Sequence, residues 1–290
     1  MNRILITGAD SFVGRNILKY SRYRKIDEVS LFDKKPEDIN FTQYDTVIHL
    51  VAIVHQAATI PEEQYFKINC SLTYEVAKAA KNAGVKHFIF MSTIKVYGEY
   101  RSETGQWNED SECHPADSYG RSKYAAELAL WNLADNDFLV SVIRTPLVYG
   151  EGVKANMLNL IMLIKRSFIL PFKDVNNRRN YTAAENLVAF IDRIIERKAS
   201  GVFIAMDKEG ISTTTLVLII ANNLGKKPLM FKVPDCIINT GLKLYPRFFE
   251  RLYGSYVMDN SYSLRVLNFV PPLSTEEGIK RMINAFIEKS

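Results

Sequence analysis

Cysteine is scarce: Cys70, Cys113 and Cys236 are the only three in 290 residues, and they stand far apart. An odd, scattered set builds neither a disulfide framework nor a metal-ligand cluster, and it reads as reduced thiols. Charge of one sign is not concentrated either, because 37 basic and 32 acidic residues leave a net charge of +5 spread along the chain. With no basic block and no stripe of interleaved aromatics, nucleic acid is not an expected partner; an anionic small molecule suits this charge at least as well. Long apolar runs are missing as well. Residues 159–170 are interrupted by Lys165 and Arg166, and residues 216–221 are too few, so no stable membrane insertion is expected. No basic, apolar, small-residue leader precedes the first strand-like run, and no repeat or low-complexity tract occurs. The expected location is the cytoplasm.

What is present is an ordinary globular composition, 47% apolar and 24% charged, in a chain long enough to bury a large core. Continuous apolar runs at residues 3–7, 29–32, 46–51, 87–92 and 139–144 read as buried parallel strands. Helical patterns at residues 62–82 and 119–134 fill most of the gaps. The connection over residues 33–45 is near the minimum for a crossover, so a trimmed connection lacking a strand is expected there. Beyond Gly150 helices alternate with short strands: a helix over 184–197, a strand over 201–205 and a helix over 212–224. The expected fold class is α/β, a Rossmann doubly wound parallel sheet with a smaller mixed C-terminal substrate lobe. The division falls at 1–150 and 151–290, with 181–205 returning to the first unit.

Two short segments carry chemistry. The apolar strand ending at Thr7 runs into Gly8-Ala9-Asp10-Ser11-Phe12-Val13-Gly14 and then a helix. That order points backbone N–H groups and a helix dipole at a pyrophosphate. Gly8 permits the sharp exit from the strand, Gly14 lets the helix pack on the sheet, and Ser11 stands where a middle glycine is usual. Asp33, read as ending the second strand, suits a ribose diol and so NAD; Lys34 and Lys35 after it suit a 2′-phosphate and NADP. Downstream, Tyr119 and Lys123 in Ser-Tyr-Gly-Arg-Ser-Lys lie one helical turn apart. An ammonium at about 5 Å, with an effective dielectric of about 20, is worth roughly 3 kcal/mol to a phenolate. That brings a phenol of pKa about 10 within reach of neutral pH as an acid–base group. The end of the strand before it supplies the hydroxyls of Ser92 and Thr93.

These segments resemble the extended short-chain dehydrogenase/reductases, specifically the NAD-dependent nucleotide-sugar epimerase/dehydratase group, over nearly the whole chain. The resemblance implies a dinucleotide cradle of Gly8, Ser11, Phe12, Val13 and Gly14, with Leu50 and Ala52 on a strand beside the cofactor. It implies that Asn69 supports the tyrosine–lysine pair, and that Thr93, Tyr119 and Lys123 are catalytic. Tyr119 and Lys123 would also touch the cofactor, Thr93 and Lys95 the substrate, and Asn156 and Arg179 the substrate diphosphate. No metal is implied. The cofactor would be NAD, with NADP possible, the substrate a UDP-sugar, and the assembly a homodimer through the helices at 62–82 and 119–134.

Departures from the family pattern narrow the reaction. Ile94 and Lys95 replace the acidic pair of 4,6-dehydratases, which disfavours elimination of water. Leu147 stands where many members carry asparagine against the sugar nucleotide. The implied function is C4 redox chemistry on a UDP-hexose or UDP-N-acetylhexosamine for bacterial surface polysaccharide. A 4-epimerase and a 4-ketoreductase of a UDP-4-keto-6-deoxy-N-acetylhexosamine stand side by side. A non-catalytic dinucleotide sensor or scaffold is a rival of another class. Residues 237–256, rich in aromatics with Lys243, Arg247 and Arg251 interspersed, admit membrane docking, although a helix packed into the substrate lobe is the expected reading.

Overall fold

The computed structural model describes residues 2–54, 60–98 and 106–289, apart from the side chain of Arg247. In chain order the first half runs β1 (Ile4–Thr7), α1 (Phe12–Tyr20), β2 (Ile26–Val29), β3 (Thr46–His49), α2 (Glu62–Phe66), α3 (Leu72–Asn82), β4 (His87–Thr93), α4 (Ser118–Trp131) and β5 (Leu139–Thr145). There follow β6 (Leu147–Tyr149), α5 (Ala155–Arg166), β7 (Ile169–Leu170), β8 (Tyr181–Ala183), α6 (Ala184–Arg197) and β9 (Gly201–Ile204). The chain ends with α7 (Thr213–Asn223), β10 (Leu229–Met230), α8 (Asp235–Leu244), α9 (Pro246–Tyr253), α10 (Ser261–Leu267) and α11 (Thr275–Glu288).

Six strands form one sheet in the order β2-β1-β3-β4-β5-β9, and every pairing in it is parallel. Alternate side chains of these apolar strands feed two cores, as the twofold period of a strand requires. Ile4, Ile6, Ile48, Ile89 and Ile143 face α6, where Leu187, Phe190, Ile191 and Ile194 cover them. Leu5, Val47, Phe88, Phe90 and Val142 face α3 and α4 through Val76, Ala80, Ala126 and Leu130. The sheet lies between two helical layers, and β1 sits where strand order reverses, so a crevice opens at the carboxyl ends of β1 and β3. The trimmed crossover is observed: between β2 and β3 the described chain makes only a short 3₁₀ turn, Pro36–Asp38.

Two sequence expectations are corrected. The second strand spans Ile26–Val29 instead of 29–32. It is an edge strand paired with β1 alone, so its half-exposed Ile-Asp-Glu-Val lacks the apolar run of a central strand, while Phe32 lies 92% exposed beyond it. Asp33 therefore does not end the strand; it is an exposed residue four positions past Val29. The helix expected over 62–82 is interrupted by a π-helical turn at Lys67–Ser71, which turns buried Asn69 inward.

The remaining elements build a separate apolar core from α5, α7 and α11, with Ile161, Ile164, Leu216, Ile220, Ile279 and Ile283 at its centre. Two small parallel pairs, β6–β8 and β7–β10, flank it. α8 and α9 pack on each other where a Cβ at Gly241 would meet the Phe249 ring at 2.2 Å. The pair is not sunk in the lobe: Gly241 is the one buried residue of α8, and Ile237, Leu244 and Phe248 are 53%, 68% and 61% exposed.

Candidate active site

The glycine turn has the expected backbone. Gly8 takes a φ of +105°, and a Cβ there would stand 3.1 Å from the Val51 nitrogen. Ser11 caps α1, its Oγ accepting from the Gly14 N–H at 3.0 Å and keeping its own proton to donate. Phe12 and Val13 open the helix behind it. A Cβ on Gly14 would meet Ser11 Oγ at 2.8 Å and Glu28 Oε1 at 2.9 Å. Glu28 Oε1 is buried without a hydrogen-bond partner, and burial and then the Asp10 charge hold that carboxyl above its ordinary pKa against a backbone hydrogen bond from Asp10. A cradle that excludes side chains, beside an unsatisfied buried acceptor, fits a dinucleotide whose pyrophosphate lies on the helix and whose ribose hydroxyls need acceptors. Glu28 is not singled out by the sequence because the apolar run places the strand three residues later and Asp33 at its end; the polar residue inside an edge strand is the available signal.

On the next strand, the Leu50 N–H donates to the Thr7 carbonyl at 2.9 Å, and Leu50 and Ala52 line the loop leaving β3. Asn69 ties that loop to α4. Its Oδ1 accepts from the Ile53 N–H at 2.7 Å, and its Nδ2 donates to the Ile53 carbonyl and to Ser122 Oγ, both at 3.0 Å. Ser122 Oγ donates in turn to the Tyr119 carbonyl at 2.9 Å. Beneath them His49 is fully buried and its pKa falls to about 3, through burial and then the nearby Lys123 charge. Thr73 spends its proton on the Asn69 carbonyl, so His49 Nε2 carries the hydrogen and Nδ1 accepts from Thr7 Oγ1 at 2.7 Å.

Thr93, Tyr119 and Lys123 gather at the carboxyl end of β4. The Thr93 and Tyr119 side chains are hydrogen-bonded. Lys123 is 2% exposed; its Nζ donates to the Met91 carbonyl at 2.8 Å and lies 4.3 Å from the centre of the Phe90 ring. Burial lowers its pKa to about 7, against an opposing pull from Glu127. Here the sequence reading is corrected: burial and the Asp117 charge push the Tyr119 phenol above its usual range, and the Thr93 hydrogen bond offsets this only in part. The ammonium is engaged with the Met91 carbonyl and the Phe90 ring.

Asp117 is a residue the sequence reading missed, although an aspartate just before a helix is a standard cap signal. Its carboxylate accepts from the Gly120 N–H at 2.7 Å at the start of α4 and pairs with Lys95. Lys95, read from the sequence as a substrate contact, is thus held against the helix that carries Tyr119. Farther in, Glu127 of α4 and Arg144 of β5 form an ion pair at 2.6 Å, 1% and 5% exposed. Ser92 donates to Glu127, and Arg144 Nη1 reaches the Tyr97 hydroxyl at 2.8 Å. Ser92 and Arg144 are register partners on β4 and β5, so this network clamps α4 onto two strands.

Asn156 and Arg179 line a separate cavity of about 730 Å³ that begins beside Ile94, next to Thr93. Asn156 is exposed on the first turn of α5, and Arg179 Nη1 donates to the carbonyls of Glu250 at 2.9 Å and Gly254 at 3.1 Å. Leu147 lies on the cavity wall. The Tyr256 hydroxyl lies 2.8 Å from the Ile94 carbonyl and 2.7 Å from that of Gly98, joining the Thr93 loop to the cavity lobe.

A parallel sheet of this order, a glycine turn at its switch point and a Thr-Tyr-Lys cluster at β4 describe a dinucleotide-dependent oxidoreductase of the Rossmann type. The chain belongs to the NAD dependent epimerase/dehydratase family, whose model matches residues 4–204. It is 32% identical, over an alignment 313 positions long, to a UDP-glucose 4-epimerase of Vibrio cholerae, covering 98% of this chain and 95% of that one. It is 28% identical over 252 residues to an N-acetyl-α-D-glucosaminyl-diphospho-ditrans,octacis-undecaprenol 4-epimerase of Escherichia coli O157:H7, covering 78% and 73%. The fold matches that of RMD from Pseudomonas aeruginosa, solved with NADPH, with a TM-score of 0.80 over 99% of this chain and 100% of that one at 17% identity.

Proposed function

We propose that this enzyme moves a hydride at C4 of a hexose or N-acetylhexosamine carried as a glycosyl diphosphate, returning it to the opposite face as a 4-epimerase. The observation that carries this reading is the Thr93–Tyr119 hydrogen bond, with Thr93 next in the chain to Ile94, which lines the same cavity as Arg179. Thr93 holds the 4-hydroxyl, Tyr119 takes and returns its proton, and Lys123 supplies the countercharge. Gly8, Ser11, Phe12, Val13 and Gly14 cradle the dinucleotide, with Leu50 and Ala52 beside it, Asn69 fixing the loop, and Asp33 or Glu28 accepting from its ribose. Bound NAD supplies the hydride acceptor. Asn156 and Arg179 hold the diphosphate, and Lys95 acts from its place beside Asp117. The sequence reading expects uridine as the carrier; the Vibrio relative's name specifies UDP and the Escherichia relative's name an undecaprenyl diphosphate.

Cofactor retention separates this from one-way 4-keto reduction, which the same residues serve. Freshly purified protein holding stoichiometric dinucleotide by native mass spectrometry and absorbance supports the epimerase, whereas empty protein that binds NADPH or NADH reversibly supports the reductase. Tyr119→Phe is expected to lower kcat at least 100-fold with NAD binding unchanged, within the usual worth of a general acid–base group. A variant as active as an active parent would remove Tyr119 from the acid–base role, and a parent that binds NAD but turns over none of these sugars would leave the sensor or scaffold reading. The unit boundaries 1–150 and 151–290, with 181–205 returning, the homodimer through α2, α3 and α4, the cytoplasmic location and the role in surface polysaccharide belong to the same proposal.

A further inference from the structure

The lining of the cavity bears on what carries the sugar. Its wall is mostly hydrocarbon and aromatic ring, including Leu147, Met157, Leu160, Phe172, Leu216 and Leu252. Of the polar side chains on the wall, Asn156 and Asn159 are exposed, whereas two deeper ones are committed to the protein itself. Asn180 Oδ1 accepts from the Met258 N–H at 2.8 Å, and Thr213 Oγ1 donates to the Leu252 carbonyl at 2.7 Å. A uracil ring and ribose lying against the leucine, methionine and phenylalanine part of that wall would find few polar partners there, which is costly. Two guanidiniums, Arg179 and Arg251, reach the same cavity. Cationic forks set in an apolar trough match a diphosphate followed by a hydrocarbon chain better than one followed by a nucleoside.

The mouth points the same way. Leu163, Ile237 and Phe248 line the cavity and are also 42%, 53% and 61% exposed, so its wall continues onto the surface. Leu244 and Tyr245 extend that apolar surface along α8, each 68% exposed. The β7–β10 pair adds Phe168 and Leu229, 82% and 68% exposed and joined through a backbone hydrogen bond of 2.7 Å. From residue 226 to 251 the sequence carries Lys226, Lys227, Lys232, Lys243, Arg247 and Arg251 against Asp235 and Glu250 alone. Exposed apolar and aromatic side chains mixed with an excess of cations complement an anionic lipid surface.

We propose that the substrate's carrier is a polyisoprenoid diphosphate, its chain lying in this cavity and leaving between α8, α9 and the β7–β10 pair into a membrane surface on which that face rests. The inference rests on the C4 chemistry proposed above and specifies its substrate class.

Glucose and N-acetylglucosamine, each on uridine diphosphate and on a short polyprenyl diphosphate, are offered to the NAD-loaded protein. The lipid forms are carried in vesicles of phosphatidylethanolamine and phosphatidylglycerol, and C4 inversion is read on the released sugar. A kcat/KM at least tenfold higher on the polyprenyl carrier is expected; a smaller ratio, or turnover of UDP-sugars alone, overturns the carrier assignment and leaves the C4 reading standing. No inversion on any of the four, with NAD bound, overturns both. The protein alone should pellet with those vesicles at moderate salt. Ile237→Ser with Phe248→Ser, both on the surface, should abolish pelleting and cut polyprenyl turnover tenfold or more with NAD affinity unchanged. Pelleting and turnover that survive both changes refute the docking face.

Discussion

Replacing Lys123 with methionine should make the protein more stable at mildly acid pH while destroying its activity. Lys123 is 2% exposed, and burial takes its pKa from 10.5 to about 7. At 1.36 kcal/mol per tenfold change, holding the ammonium inside the fold costs roughly 5 kcal/mol. Against this, Lys123→Met forfeits the hydrogen bond to the Met91 carbonyl and the contact over Phe90, together about 2 kcal/mol. Below pH 7 folded and unfolded chains both carry the proton, the full penalty applies, and the variant should be about 3 kcal/mol more stable. Between pH 7 and 10.5 the unfolded chain keeps a proton that the folded chain has released, so the parent gains stability as pH rises. By pH 9 it should have recovered about 3 kcal/mol, and the two curves should nearly meet. Urea unfolding of nucleotide-free parent and variant at pH 6 and pH 9, followed by circular dichroism, measures the difference directly. A difference that does not move with pH, or a parent that loses ground to the variant as pH rises, refutes the reasoning. The extra stability of an inactive variant would mark Lys123 as a residue kept for function at a cost to folding.

Glu127→Gln leaves the Arg144 guanidinium buried without its countercharge and should lose about 3–5 kcal/mol in urea unfolding, while combining it with Arg144→Met should restore most of that. Recovery of less than half would mean that the cost lies in packing. Asp117→Asn keeps a side chain able to cap α4 but removes the negative charge that raises the Tyr119 phenol. The rising limb of the pH–rate profile, where Tyr119 loses its proton to become the base, should move to lower pH, with thermal stability within about 1 kcal/mol of the parent; an unmoved limb would show that Asp117 does not act on Tyr119.

The sheet was legible because buried parallel strands announce themselves as apolar runs, and β1, β3, β4 and β5 begin or end within two residues of where those runs predict. β2 was misplaced because an edge strand shows one face to solvent, which weakens the apolar run. Its shift strands Asp33 in an exposed loop and brings Glu28 to the glycine turn. Residues at fixed spacing on one element, such as Tyr119 and Lys123, were readable by counting. Contacts between distant segments were not. Nothing local pairs Glu127 with Arg144, or Asn69 with Ser122 fifty-three residues away. Electrostatics failed for the same reason, since spacing gives the distance between two charges but not the burial that sets their cost. The exposed face of α8 and α9 was half legible: the aromatic and basic composition of residues 237–256 was visible, but which side chains turn outward was not.

Tyr119 and Lys123 together show when the base is made. Burial favours the neutral form of each, the phenol above its usual range and the amine at about 7. Passing a proton from Tyr119 to Lys123 leaves the site's net charge unchanged, yet it runs from a phenol at or above 10 to an amine near 7. Burial thus opposes that transfer, and the attraction between the phenolate and the ammonium it would create works the other way. Burial holds the phenol in its protonated form in the ligand-free protein. Asp117 keeps it so, while the Thr93 hydrogen bond works in the other direction. Thr93 is also the residue that would hold the sugar hydroxyl, so a substrate in place changes the hydrogen bonding of the phenol that must deprotonate it. On the proposed chemistry the base would form once the substrate is in place, since burial holds the phenol protonated in the ligand-free site.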